Sequence, residues 1–398
     1  MASEWTTVRA ADFIEFNPRL SLKKGVVATK VAMEKLQPFT KKIPAAELAE
    51  FAGGSKFCNG DTIMARITPC LENGKTAFVD FLKDGEIAFG STEFIVMRAR
   101  AGVSDPQFVY YLATSPAFRN IAIKSMVGSS GRQRVQQGVL DELELTVPPL
   151  GEQQKIGAFL AMLDLKIALN NKINDNLLVL ATALFDQTIV KYTPYLTMKS
   201  IDDIAEVKGG KRLPKGVNLQ TIPNAHPYIR VRDLNDACVV QLSSEFEYVD
   251  DETQKGIARY IVHTSDVIVS IVGTIGLTAL VHESLDMANL TENCVKITNL
   301  KETTPEYLLL FLRSVAGQTA IQQGTVGAVQ AKLPIKNIQT IMIPVIPEDQ
   351  CKTLYSQLKS IFAAISARLG ENASLMQIRD SLLPRLMSGE IDVSDINI

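Results

Sequence analysis

The chain writes one pattern twice, about 200 residues apart, so whatever it folds into it must fold into two times over. Val147-Pro-Pro-Leu-Gly-Glu-Gln153 returns as Ile343-Pro-Val-Ile-Pro-Glu-Asp-Gln350, and in each copy an acid–Gln pair opens a long helical pattern. Upstream, Gly128-x-x-Gly131 is echoed by Gly324-x-x-Gly327, and Pro106-Gln-Phe-Val-Tyr-Tyr-Leu112 by Pro305-Glu-Tyr-Leu-Leu-Leu-Phe311. A repeat of this length exceeds a solenoid unit and fits two duplicated domains, each followed by its own helix. Duplication of that kind implies pseudo-twofold symmetry, and hence a partner with twofold character.

Between the echoes the pattern is α+β. Asp61–Ile67, Thr76–Asp80 and Glu93–Arg98 read as strands, with Asn73-Gly74 as a turn, and 106–127 reads as helix broken near Ser115-Pro116. Strands near Tyr228–Val231, Asp266–Val272 and Glu292–Ile297 repeat this before a helix near 305–322. The run Val267–Val281, interrupted by Gly273 and Gly276, reads as a buried strand–turn–strand, too short to span a bilayer.

Two longer periodicities stand apart. From Gly151 to about Lys191, Ile156, Leu160, Leu163, Ile167, Leu177, Ala181 and Leu184 fall at 4-3 spacing, with Asn170 and Asn174 in the middle of the seam. From Glu348 to about Met387 the same spacing gives Leu354, Leu358, Ile361, Ile365, then Arg368 and Asn372, then Leu375, Arg379, Leu382 and Leu386. Sustained heptads argue coiled coil, and polar seam residues fix register. Antiparallel pairing would set the two polar middles against each other. Two helices packed separately on their own domains is the competing reading, and it explains the matched seams less well. The resulting division is 1–146 and 196–345 for the domains, and 147–195 and 346–398 for the helices.

Charge adds a second constraint. With 41 Lys and Arg against 43 Asp and Glu, the chain is near neutral, yet acids are missing from 106–140, 207–232 and 307–347, where the glycine-rich loops lie. One-sign surface of this sort suits a phosphate backbone. Gly128-Ser-Ser-Gly-Arg-Gln-Arg134 offers Arg132, Gln133 and Arg134; Gly209-Gly-Lys-Arg-Leu-Pro-Lys-Gly216 offers Lys211, Arg212 and Lys215. Each alone is an ordinary surface loop; in duplicated domains joined by a rod they point toward duplex DNA, with Arg and Gln able to read bases and Ser and amides to hold phosphate.

Catalytic patterns are scarce. Gly74-Lys-Thr76 lacks the upstream glycine of a phosphate loop, which falls on Pro69. Val147-Pro-Pro-Leu150 lacks the polar residue of an amino-methyltransferase motif, and no glycine-rich loop follows a parallel strand to take S-adenosylmethionine. His226, His263 and His282 have no metal-ligand spacing, the five cysteines have no CxxC, and the N-terminus has no secretory pattern. A cytoplasmic, non-catalytic protein is expected.

At these residues the chain resembles the specificity subunit of a type I restriction–modification enzyme. The carriers are Pro148–Ile167, Asn170–Leu177, Gly210–Gly216, His226–Leu234, Ile271–Leu277, Asn289–Ile297 and Leu382–Ile391, with Asn17–Gly25 and Phe89–Val96 in the first half. The second copy departs in having Pro347-Glu-Asp-Gln350 for a Leu-x-Glu-Gln. The resemblance implies two target-recognition domains, each reading one half of a bipartite site in double-stranded DNA, held apart by two helices pairing as an antiparallel coiled coil. Two methylation subunits would dock on those helices and carry S-adenosylmethionine, flipping the adenine they modify; a further pair of motor–nuclease subunits would use ATP. No cofactor or metal is expected on this chain, nor any membrane contact. The DNA contacts so implied are Arg132, Gln133, Arg134, Lys211, Arg212, Lys215, His226, Tyr228, Arg230 and Arg232, with Gln330 and Lys332 in the second glycine loop. The alternative is a stand-alone DNA-modifying enzyme or nuclease, which the missing motifs disfavour.

Overall fold

The computed structural model describes residues 5–129, 131–234, 238–327 and 330–393. It forms two compact units, Met1–Leu169 with Ser374–Ile398, and Asn170–Ala373. The division cuts both long helices near their middles, so each unit is one domain plus half of each helix rather than one of the four segments set out from the sequence.

In the first unit, Thr6–Arg9 pairs antiparallel with Glu144–Val147, tying the start of the chain to the entrance of the first long helix. A four-stranded antiparallel sheet follows the order Ile14–Phe16, Phe94–Ala99, Thr62–Ala65, Thr76–Phe78. Its centre reads as a continuous apolar run because both faces are covered, one by helix Pro106–Thr114. The break at Ser115-Pro116 is a second N-cap: Asp105 accepts from the Phe108 N–H, Ser115 from the Phe118 N–H, and a proline takes the first turn each time. A second sheet runs Glu47–Glu50, Val27–Val31, Ala88–Gly90, Lys56–Phe57, with its middle pair parallel.

The second unit repeats the economy. Thr197–Ser200 pairs with Met342–Val345, and the main sheet runs Glu206–Gly209, Cys294–Thr298, Val267–Ser270, Thr278–Val281, Val239–Val240. The smaller sheet, Glu247–Tyr248, Pro227–Ile229, Asn289–Leu290, again contains one parallel pair. Thr304 and Ser314 cap helices Pro305–Arg313 and Val315–Gly324 as Asp105 and Ser115 do in the first unit.

The long helices, Leu150–Tyr192 and Glu348–Met387, run antiparallel within each unit. In the first, Ile156 and Leu160 share a core with Leu386 and Leu383, and Asp164 meets Arg379 at 2.7 Å. In the second, Asn170 meets Asn372 at 2.9 Å, and farther along Ala181 and Phe185 share a core with Leu354, Leu358 and Phe362. Ile156, Leu160, Leu354, Leu358, Ile365 and Asn372 are buried; Leu163, Ile167, Asn174, Leu177 and Leu375 are half-buried. Three seam assignments shift by one residue. Leu184, Ile361 and Leu382 lie half-buried at the flank, and Phe185, Phe362 and Leu383 are the buried ones. In each case the helix steps four residues rather than three from the preceding seam position (Ala181, Leu358, Arg379), which a turn of 3.6 residues allows equally well.

Candidate nucleic-acid interface

After helix Pro116–Lys124 the chain doubles back in a hairpin closed between Val127 and Arg134, whose amides and carbonyls exchange bonds of 3.0 and 2.9 Å. Gln133 roots it: its N–H donates to the Thr68 hydroxyl at 2.8 Å, and its carbonyl accepts from that hydroxyl and from the Thr68 N–H. Gly128 is required, since a Cβ there would lie 2.8 Å from the Arg132 carbonyl. The Arg132 side chain is exposed and Gln133 half-buried, whereas Arg134 is held by Glu93 through bonds of 2.7 to 3.0 Å. That pairing holds the Glu93 carboxyl below its ordinary range, chiefly through the hydrogen bond from Arg134. Ser130 lies outside the described residues.

The second unit has the same hairpin between Val326 and Lys332, closed by two 2.9 Å bonds. Gly327 stands at φ +97°, where a Cβ would fall 2.5 Å from the Gln330 carbonyl. Gly128 therefore corresponds to Gly327, not to Gly324, which is the last residue of helix Val315–Gly324. The repeat of glycine spacing is a coincidence of sequence, three residues out of step with the backbone. Gln330 and Lys332 are exposed; Ala328 and Val329 lie outside the described residues.

A third cationic element, 209–216, is pressed onto the second unit's sheets. A Cβ on Gly210 would meet the Thr291 carbonyl at 1.9 Å, and the Lys211 N–H donates to the Leu290 carbonyl at 2.8 Å. The Lys211 ammonium lies over the Tyr260 ring, and Lys215 is exposed with no carboxylate partner among the described residues. Arg212 reaches Glu292 at 2.9 Å with its side chain still 83% exposed. It helps line an open cavity of about 440 Å³ together with Leu213, Leu219, Tyr228, Arg232 and Asn293.

Strand and loop packing changes several sequence expectations here. Tyr228 is not a surface contact: it is 3% exposed, and its hydroxyl donates to the Lys211 carbonyl at 2.8 Å, so it braces the loop from below. Arg230 is turned toward Glu247 and Asp233, with Nε and Nη2 buried, which leaves it structural rather than free for DNA. Arg232, two residues on and directed at the same two acids, stays more than half exposed at 3.5 Å from Asp233 and 3.6 Å from Glu247. Burial pushes the Asp233 carboxyl up to about 6 despite Arg232 nearby. His226 meets Asp251 at 2.9 Å.

The first unit contains a polar junction that sequence periodicity did not reveal. Lys41 reaches Gln107 and, at 3.2 Å, the Tyr111 hydroxyl; Tyr111 donates to Asp164 at 2.5 Å; and Asp164 pairs with Arg379. Burial pushes the Lys41 ammonium down to about 8. Only Arg379 hinted at it, as a charge in an apolar seam. Gln153 was also missed: it is 2% exposed, accepts from the Asp105 N–H and donates to the Val103 and Pro148 carbonyls, so the Gln of the acid–Gln pair clasps the helix entrance.

The outer face of Leu150–Tyr192 leaves Met162, Leu165, Leu169, Val179 and Leu180 exposed at helical spacing. Lys75 of the Gly-Lys-Thr turn donates to the Met33 carbonyl at 3.1 Å. Among the described residues no His, Cys, Asp or Glu group is arranged to hold a metal, and no helix is long and apolar enough to cross a membrane.

Comparison with known proteins bears on all of this. The sequence profile of the type I restriction modification DNA specificity domain matches twice, over residues 3–178 and 196–373. The chain is 29% identical over 160 residues to the EcoAI specificity subunit of Escherichia coli, covering 38% of this chain. That alignment spans 26% of the relative, about a quarter of its length. The match to the HindI specificity subunit of Haemophilus influenzae is broader, 23% over 411 residues, covering 83% of this chain and 86% of the other. A crystal structure of the type I restriction–modification system S subunit from M. genitalium aligns over 96% of both chains at 14% identity, with a TM-score of 0.55.

Proposed function

The chain belongs to the type I restriction–modification DNA specificity family, and from that premise we propose that it is the non-catalytic address subunit of a cytoplasmic DNA-modifying complex. Each unit reads one half of a bipartite site in duplex DNA. The observation that carries this is the pair of equivalent hairpins with unlike side chains, Arg132 on one and Gln330 with Lys332 on the other. One framework used twice with unlike surface loops suits two different half-sites, the phosphate contacts fixing position and other exposed side chains of each unit reading bases.

Lys211, Arg212, Lys215 and Arg232 extend the second unit's cationic surface, the arginines with their ends still exposed beside a carboxylate. Arg side chains there suit base edges and Lys suits phosphates. The uncovered apolar stripe on the first long helix suits a protein partner. Methylation subunits docked there would bring S-adenosylmethionine, and motor subunits ATP.

The test is an exchange. Replacing residues 1–146 with the corresponding domain of another specificity subunit, then mapping methylated adenines across the genome, should change one half of the recognised sequence and keep the other. If both halves change, or neither does, the two-reader assignment is wrong.

A further inference from the structure

The two hairpins hold the same place in their units yet present their cations differently. We infer that the first hairpin meets the DNA backbone through Arg132, that Arg134 and Glu93 form a brace behind it, and that in the second unit Lys332 makes the backbone contact from the brace's own position. The inference rests on the reading of this chain as a DNA-recognition subunit.

The equivalence is set by register. Arg134 bridges both Ile67 and Val127, and Lys332 bridges both Val272 and Val326. The next residue is buried each time, and its N–H bonds an equivalent strand end: Val135 to the Arg66 carbonyl at 2.8 Å, Leu333 to the Ile271 carbonyl at 3.0 Å. Arg66 and Ile271 in turn take the carbonyls of Glu93 and Asn293. The carboxylate beside the first hairpin's root is thus replaced by an amide in the second.

That one exchange decides which cation is free. A guanidinium already forked onto a carboxylate is compensated, and a phosphate would have to displace an acid the fold holds in place. Arg134 is in that state, with Nε 3.0 Å from both Glu93 oxygens and Nη2 2.7 Å from Oε1. Arg132, two residues nearer the tip, is exposed with no carboxylate partner among the described residues, and so is Lys332. The first hairpin is also one residue longer between its bridged ends, and Arg132 lies on that longer segment, beyond the brace. Arg134 is therefore a positioning residue.

Counterion release separates the roles, because each phosphate neutralised steepens the fall of log K with log salt by about 0.9. The full-length chain, assembled with its methylation partners, is titrated with mixed-sequence duplex DNA over a range of salt. Arg132→Gln and Lys332→Gln should each flatten the slope by about one. The exchange Glu93→Arg with Arg134→Glu should keep the slope and hold affinity within about threefold, since it preserves the brace and the local charge. Should the exchange fail to fold by circular dichroism, the neutral pair Glu93→Gln with Arg134→Gln takes its place, again with an unchanged slope expected. A slope flattened by either double variant as much as by Arg132→Gln overturns the brace. An unchanged slope in Arg132→Gln or Lys332→Gln overturns the backbone contact assigned to that hairpin. Absence of salt-dependent binding by the unaltered complex would instead refute the DNA-recognition reading itself.

Discussion

Removing Arg379 isolates the energetics of the polar junction in the first unit. The Asp164–Arg379 pair has its side chains 11% and 12% exposed, so it sits in a poorly screened setting. Stripping one partner from such a pair costs about 3–5 kcal/mol, because the survivor stays charged without compensation. Here Asp164 keeps the hydroxyl of Tyr111 at 2.5 Å, and the Lys41 ammonium lies one hydrogen bond further on. The low end follows: about 3 kcal/mol for Arg379→Met. Asp164→Asn should cost less, about 2 kcal/mol, since Arg379 retains Asp380 at 2.8 Å on its solvent side. The double variant Asp164→Leu with Arg379→Met removes both charges and keeps the volume, and should come within about 1 kcal/mol of the unaltered chain. Equilibrium urea unfolding, followed at a probe within 1–169 so that the second unit does not mask the transition, gives the cycle. If the double variant costs the sum of the single ones, the pair is not coupled and the junction is not a network. A loss below about 0.5 kcal/mol for Arg379→Met would mean that water already screens it.

Lys41→Met tests the same junction through pH. The Lys41 ammonium is pushed down to about 8 from its ordinary 10.5, so between those values the unfolded chain holds a proton the folded one has released. Stability from this group therefore rises with pH across that window and is lost as pH falls through about 8; Lys41→Met should flatten the rise, by up to about 3 kcal/mol. Asn170→Leu strands the Asn372 carbonyl oxygen and should cost about 1–3 kcal/mol, while Asn170→Leu with Asn372→Leu should raise the urea midpoint and let disulfide trapping capture shifted helix registers. Gly327→Ala puts a methyl into the Gln330 carbonyl at a φ of +97°; it should destabilise by more than about 1 kcal/mol and speed amide exchange at Val326 and Lys332, and slow exchange there would contradict the close approach.

Architecture was legible wherever it repeats along the chain. The prolines and hydroxyls at Ser115-Pro116 are local caps, and the 4-3 spacing of Ile156, Leu160 and their partners is local geometry, so both could be read without knowing what they touch. The acid-free windows likewise marked where the hairpins lie. What could not be read is pairing across distance. Nothing near Arg134 in sequence announces Glu93, and nothing near Arg230 announces Glu247, so cations that looked alike in sequence divide in space into free and compensated. Tyr228 misled for a related reason: in a strand of three residues covered on both sides, an aromatic among basic neighbours is core, and alternation gives no warning.

The slipped glycine match carries the larger lesson about reading a duplication. Aligning Gly128 with Gly324 kept the copies in step by sequence, yet the backbone equates Gly128 with Gly327, because only those two stand where a Cβ would strike the returning strand. Between the copies the offset therefore changes within the hairpin, from 199 at Val127 and Val326 to 198 at Arg134 and Lys332, and then holds through the strands Glu144–Val147 and Met342–Val345 to the seam residues Ile156 and Leu354. Insertions and deletions of this sort survive only where the chain is not packed, and the long helices, whose buried faces must stay in phase, admit none. The copies thus differ in length at the hairpin tips and agree where the helices pair. A duplicated protein that held its framework and let two loops drift would end with this distribution of differences, and the free cations Arg132 and Lys332 sit on the segments that drifted.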